Sequence, residues 1–206
     1  ADKGIWTAKK RYILNVLDEE GITFDEPKLK IMGIEAVKSS TPEVCRGKIR
    51  QAIKLIMTKG EDELQAFVAD FKKEFYQMTA EQISFPRSCN NLKKYKHSSN
   101  IFIKGTPIHV KGALIYNENL KRFKLHRKYP IIQEGDKLKF LKLKEANPFK
   151  FDVISYVTKL PTEFALQEYI DYDLMFQKTF LDPMSFILNS IGWEYEKTAS
   201  LEDFFV

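Results

Sequence analysis

AKKRYILNV at residues 8–16 and PKLKIMGIEAVKSSTP at residues 27–42 decide how this 206-residue chain begins. Lys9, Lys10, Arg11 and Tyr12 stand at the head of the apolar run Ile13, Leu14, Val16 and Leu17. A short apolar run bounded by turn residues reads as a buried strand, here over 10–18. Side chains alternate across a strand, so Lys10 and Tyr12 are expected on one face and Lys9 and Arg11 on the other. Donors on both faces of a fixed strand could hold a phosphodiester chain and touch the groove beside it. A second strand is expected over 27–33, opened by Pro27, with Glu19, Glu20 and Gly21 in the turn between the two.

Past residue 40 the period changes from two to that of a helix. Thr41-Pro42-Glu43 is a helix start, with a hydroxyl cap, a proline in the first turn and an acid near the positive end. Ile49, Ala52, Ile53, Ile56 and Met57 then recur on one stripe as far as Lys59-Gly60. Glu61, Asp62 and Glu63 open a second helix whose stripe is Leu64, Phe67, Val68, Phe71 and Phe75. The very short connection predicts an antiparallel pair, with those aromatics as core. Further along, a strand is expected over 81–86 and an irregular basic stretch over 87–107. A helix or strand–helix unit follows at 108–122, then strands at 137–143 and 151–157. From Pro161 to Gly192 the pattern is helical with a break near Asp182-Pro183, and 193–206 read as an extended tail.

Charge is unevenly spread. The net charge is +5, yet residues 87–129 hold eleven Lys and Arg against one acid, Glu118. Residues 160–206 hold nine acids against Lys178 and Lys197. A surface that serves only solubility mixes its signs, so a block almost free of acids points to a polyanionic partner. No apolar run is long enough to span a membrane, and the polar, basic start has no signal-peptide core. Cys45 and Cys89, far apart in sequence, read as free thiols of a reducing compartment.

A self-contained active site is not visible. There is no glycine-rich phosphate loop, no HExxH and no CxxC. Asp171-Tyr172-Asp173 has the spacing of a two-metal carboxylate pair, but it falls in a helical stretch, where residues i and i+2 do not share a face. These acids are expected on a solvated helix surface. Leu201, Phe204 and Phe205 would form one small apolar face if the terminus coils into a helical turn, a shape that can plug a hydrophobic pocket.

Several of these motifs together resemble the family B DNA polymerases of T-even-type phages. Residues 8–42 resemble the junction of palm and thumb, whose Lys-x-Tyr element lies along the primer–template minor groove. Pro107-Ile108-His109, Lys111, Gly112 and Gly135-Asp136 resemble a thumb segment, as does Ser88-Cys89-Asn90-Asn91-Leu92-Lys93-Lys94-Tyr95. The terminus resembles a sliding-clamp-binding peptide without its leading Gln. The resemblance implies an α+β fold: an end-of-palm strand pair at 1–40, a mainly helical thumb with a small antiparallel sheet at 41–192, and a clamp-binding tail at 193–206.

It also implies DNA contacts from Lys9, Lys10, Arg11, Tyr12, Lys38, Ser39, Ser40, Asn90, Lys93, Lys94, Tyr95, Lys104, His109 and Lys111, and clamp contacts from Leu201, Phe204 and Phe205. The implied partners are primer–template DNA, the sliding clamp and the remainder of the polymerase, in the cytoplasm of an infected bacterium and away from membranes. Magnesium is implied for the complete polymerase, but no cofactor for this chain, because the family's metal-binding aspartates lie in a hairpin that it lacks. The chain would then grip duplex DNA without synthesising any. It could be a piece of one long polymerase or a natural second subunit. The alternative is a free-standing clamp-binding or nucleic-acid-binding adaptor.

Overall fold

The computed structural model describes residues 1–97 and 99–197. Helices mix with small antiparallel sheets, so the α+β expectation holds. The residues fall into two compact units that are discontinuous in sequence. Among the described residues, one contains 1–38, 43–77 and 176–197; the other contains 39–42 and 78–175.

The first unit opens with a three-stranded meander rather than a strand pair: β1 (Lys3–Ala8), β2 (Arg11–Glu19) and β3 (Ile22–Met32), in that spatial order. Strand β1 was not anticipated, although Ile5 and Trp6 already alternate buried and exposed. Ala8 pairs with Arg11, so Lys9 and Lys10 are not strand residues. They form the two-residue hairpin turn. Lys10 takes φ +63 there, which corrects the expected face assignment of Lys9 and Lys10. The second turn is Glu20-Gly21, with φ +54 and +81, the doubly left-handed geometry that matches strand twist. Gly33, at φ +67, lies under the first turn; a Cβ on it would come within 2.4 Å of the Lys10 carbonyl oxygen. Only glycine allows that close approach.

Ile5, Ile13 and Ile31 stand in cross-strand register. Ile5 and Ile13 are buried. On the same face, Lys3 donates from Nζ to the Ile56 carbonyl at 2.8 Å, placing a cation on the negative end of α1 (Glu43–Thr58). Helix α2 (Glu61–Phe75) returns antiparallel to α1, and Lys48 near the start of one pairs with Glu74 near the end of the other. Phe71 and Phe75 pack with Phe176 and Phe180, with centroids 4.8 Å apart for Phe71–Phe180 and 5.2 Å for Phe75–Phe176. These aromatics are core, as the stripe implied.

The expected break at Asp182-Pro183 does not occur. A π-helical turn, Gln177–Leu181, leads directly into α7 (Asp182–Asn189), with Pro183 in its first turn. The wider turn absorbs the backbone donor that proline lacks. Asp182 fastens the turn by accepting from Gln177 at 2.7 Å and Lys178 at 2.9 Å.

In the second unit a four-residue helix, α3 (Ala80–Ile83), precedes strand β4 (Phe85–Ser88), where a strand over 81–86 was expected. The missed signal is a capping box: Gln82 accepts from the Thr79 backbone N–H at 2.9 Å. A short helix α4 (Leu92–Tyr95) and a two-stranded hairpin, β5 (Lys96–His97) and β6 (Ile101–Phe102), follow. Helix α5 (Ile108–Arg122) then packs on a sheet of order β4–β7–β8, with β7 at Lys137–Lys142 and β8 at Val153–Tyr156.

Residues 161–170 are not a regular helix. They form two 3₁₀ turns, Thr162–Phe164 and Gln167–Tyr169, separated by Ala165 at φ +51. The physical reason lies across the chain. Lys144 N–H donates to the Tyr169 carbonyl at 2.8 Å and Asp171 N–H to the Lys142 carbonyl at 3.1 Å, so the backbone here prolongs the sheet instead of closing helical bonds. Helix α6 (Tyr172–Phe176) begins only after that.

Candidate nucleic-acid interface

In the first unit the basic hairpin turn projects Lys9 and Lys10 into solvent, while Arg11 and Tyr12 are half-buried on opposite faces of β2. Lys38 does not stand free. It donates to Glu35 at 2.6 Å, one helical turn back.

The second unit holds the denser cluster. Ser39, Ser40, Pro86, Arg87, Ser88, Lys137 and Leu138 line an open cleft of about 450 Å³. Ser88 and Lys137 face each other across the β4–β7 ladder, so one register places a hydroxyl beside an ammonium. Arg87 braces the floor. Its Nη1 donates to the Ser40 carbonyl at 2.8 Å and to the Pro86 carbonyl at 2.9 Å. The guanidinium lies 5.9 Å from the ring centroids of both Phe85 and Phe140, which stack on each other at 5.2 Å. Burial lowers the Arg87 pKa, but an arginine side chain keeps its charge in proteins. The cleft therefore offers serine hydroxyls, an ammonium and a fixed guanidinium, a donor set that suits phosphate oxygens. Ser39 and Ser40 were singled out from sequence. Arg87 and Ser88 were noticed only as parts of the basic and Ser-Asn-Lys stretches, and Lys137 was seen only as a strand residue.

Just beyond β4, the Cys89 backbone N–H donates to the Asp136 carbonyl at 2.8 Å and extends the ladder. Asn90 follows as an exposed residue. Glu134 accepts the backbone N–H groups of both Asn91 and Leu92 and so fixes the start of α4. That helix carries Lys93 and Lys94 on the surface, with Lys94 5.5 Å from the centroid of the half-buried Tyr95 ring. Lys104 is exposed in the turn that leads to α5.

Two expected contacts are already engaged. Lys111 donates to Asp152 at 2.6 Å, and Lys142 donates to the same carboxylate at 2.7 Å. Burial acts to raise Asp152, but the two lysine hydrogen bonds outweigh it and hold the carboxyl at about 2. His109 is half-buried, with its ring 6.3 Å from that of Phe140. Burial, and then the charge of Arg87, lower its pKa from the usual histidine value, which favours the neutral imidazole over a counter-ion. Lys128 is likewise tied to Glu163, at 2.5 Å. Among the described residues, Lys93, Lys94, Lys96, Lys104, Lys121, Arg122, Lys124 and Arg127 make no ion pair. The basic block is therefore less uniform than its sequence implies, but it keeps a majority of uncompensated cations.

Asp171 caps α6, accepting the Leu174 backbone N–H at 2.9 Å. Among the described residues, no three His, Cys, Asp or Glu side chains converge in a way that could hold an ion. Both cysteines are buried and unlinked, and burial pushes each thiol up to about 11, so neither is a ready nucleophile. No helix among the described residues is long and apolar enough to cross a membrane. Leu201, Phe204 and Phe205 lie outside the described residues.

Known proteins carry a similar stretch. The chain is 36% identical to the DNA-directed DNA polymerase of Enterobacteria phage T4, and 38% identical to that of Escherichia phage RB69. Each alignment covers 98% of this chain. This chain is related to one part of the T-even phage DNA polymerases. It spans about a fifth of their length, 22% in each case. No protein-family model matches it.

Proposed function

We propose that this chain is the C-terminal, duplex-holding portion of a phage DNA polymerase. In this reading it grips primer–template DNA behind the active site and makes no DNA alone. The observation that carries the reading is the cleft of Ser39, Ser40, Arg87, Ser88 and Lys137 within a unit whose cations are mostly uncompensated, in a chain related over nearly all its length to phage polymerases. Hydroxyls and ammonium groups that touch phosphate fix position without reading sequence, as a polymerase requires behind its active site. The catalytic magnesium ions and the groups that hold them would belong to the remainder of the polymerase, which is the implied partner. In this reading the protein acts in the cytoplasm of an infected bacterium.

Salt dependence tests the grip. If four to six phosphates are neutralised, log affinity for a blunt duplex should fall with log salt at a slope of roughly −4 to −5. A slope near zero measured by fluorescence anisotropy would remove phosphate gripping from the reading.

The terminal Leu201, Phe204 and Phe205 would tether the complex to a sliding clamp and raise the local concentration of DNA. Replacing both phenylalanines by alanine is expected to abolish binding to the phage clamp while duplex affinity stays within about twofold, because exposed aromatic anchors dominate such peptide contacts. Equal loss of both activities would show that the tail is not a separate clamp element.

A further inference from the structure

Helix α4, the β5–β6 hairpin, helix α5 and the segment 131–134 together line a pocket of about 420 Å³ in the second unit. Its apolar lining is Leu92, Ile101, Leu114, Ile131 and Ile132, all aliphatic. The walls are fixed by side chains that bond backbone. Asn117 clamps Ile132 in both directions, donating to its carbonyl at 2.8 Å and accepting from its N–H at 2.9 Å. Glu134 accepts the backbone N–H groups of Asn91 and Leu92. On the exposed side stand Lys93, Lys96 and Lys121, none of which makes an ion pair among the described residues. Glu118 stands with them. It is the one acid of residues 87–129, and its carboxylate has no ion-pair or hydrogen-bond partner among the described residues. One wall is also strained. Ile101 takes φ +61, a left-handed conformation that disfavours a β-branched residue and that asparagine adopts more easily. A residue held there against its backbone preference is retained for its side chain.

We propose that this pocket docks an acidic peptide segment of another protein, one that carries a leucine or phenylalanine anchor between carboxylates. The aliphatic floor takes the anchor, the ammonium groups of Lys93, Lys96 and Lys121 meet the flanking carboxylates, and Glu118 accepts a backbone N–H of the peptide. Two features select a peptide over a nucleic-acid strand. Unpaired bases are held by stacking on aromatic rings or guanidinium planes, and no Phe, Tyr, Trp or Arg is among the lining residues. A phosphate oxygen cannot donate to Glu118 and is repelled by its charge, whereas a peptide N–H donates to it. Lys93, expected on DNA from the sequence, here serves a protein partner. The pocket shares no lining residue with the Ser39–Ser40–Arg87 cleft, so it adds a partner to the polymerase reading without depending on it.

The test uses the full chain and, as probes, two labelled synthetic peptides: a leucine–phenylalanine pair flanked by aspartates, and its counterpart with lysines in place of the aspartates. Fluorescence anisotropy should show saturable binding of the aspartate peptide and binding at least about tenfold weaker for the lysine peptide. Ile101→Asn removes the aliphatic wall but suits the left-handed backbone. It should weaken the aspartate peptide by about tenfold, while the melting temperature holds or rises and duplex affinity stays within about twofold, since no charge changes. Lys96→Glu combined with Lys121→Glu alters only exposed side chains and should reverse the preference between the two peptides. An aspartate peptide that does not bind, that binds no better than the lysine peptide, or that keeps its affinity in both variants overturns the proposal. So does a single-stranded oligonucleotide that competes with the peptide and loses affinity in Ile101→Asn, which would make the pocket a nucleic-acid site. Each of these outcomes leaves the polymerase reading standing, because that reading is judged separately, by the salt slope of duplex binding.

Discussion

Gly112→Ala is expected to destabilise the unit built from residues 39–42 and 78–175, and Gly112→Val to prevent its folding. Helix α5 crosses β8 so closely that a Cβ at residue 112 would stand 2.5 Å from the Ser155 Oγ, 2.8 Å from the Ser155 backbone nitrogen and 3.0 Å from the Ile154 carbonyl carbon. Two of those atoms are strand backbone and cannot turn aside. The third is committed, because the Ser155 hydroxyl donates to the His109 carbonyl at 2.8 Å, one turn earlier on the same helix.

Two effects oppose each other at this position. Helix propensity alone favours alanine over glycine by about 1 kcal/mol. Overpacking a tight contact costs about 1–3 kcal/mol, and more for a branched side chain. The contact should win, because the strand must move as a whole. Urea denaturation followed by circular dichroism reads the sign. A midpoint unchanged or raised in Gly112→Ala would mean that α5 and β8 do not pack as closely as described. For valine, an expected loss of about 3 kcal/mol or more is a large share of the roughly 5–15 kcal/mol that separates a folded domain from its unfolded chain.

The second large effect is expected at Arg87. Arg87→Met should lower duplex affinity by about tenfold at low salt, and should also lower thermal stability. Methionine keeps bulk beside the stacked Phe85 and Phe140 rings but removes the donor to the Ser40 and Pro86 carbonyls. A half-buried carbonyl left without its partner costs about 1–3 kcal/mol. The Ser39–Ser40 segment would then lose its brace, and the cleft would lose both a charge and the placement of its hydroxyls. Arg87→Lys should rescue little, since a compact ammonium lacks the flat guanidinium surface that lies beside the Phe85 and Phe140 rings while its Nη1 bonds both carbonyls. Ser40→Ala should change stability far less, because Arg87 binds the Ser40 backbone and not its side chain. Anisotropy titrations of the three variants separate these cases. Wild-type affinity in Arg87→Lys would show that only the charge matters.

Legibility differed by element for physical reasons. Helices α1 and α2 were placed within a residue or two because start signals, a 3.6-residue stripe and a short connection all agreed, whereas 108–122, which forms α5, read as either a helix or a strand–helix unit. Strands β7 and β8 were visible from alternation or a short apolar run. The missed elements depend on interactions remote in sequence. The stretch 161–170 has helical composition, yet its backbone bonds to residues 142 and 144. Strand β1 is only six residues long and finds its place through pairing with β2. The hairpin turn at Lys9-Lys10 was hidden because two lysines are unusual residues for a left-handed turn, and Gly33, whose bare Cα admits the Lys10 carbonyl, lies twenty-three residues away.

The candidate site shows the same division. Composition alone marked the basic block, since eleven cations against one acid need no fold to be noticed. It could not tell which cations are spent. Lys111 and Lys142 share Asp152, Lys128 meets Glu163, and Lys38 meets Glu35, and each of these pairs is set by where the backbone brings a carboxylate.

By itself, then, the sequence determined the α+β class, helices α1 and α2, the core aromatics, the concentrated basic block and the likeness to phage polymerases, because each is carried by local pattern or by residue identity. Only the tertiary structure decided which hydroxyls and cations share the cleft, that Arg87 is its brace, and that Glu118, the one acid of the basic block, lines an aliphatic pocket. Those properties depend on strand register and on approaches of a few ångströms between segments distant in sequence, and no local pattern encodes them.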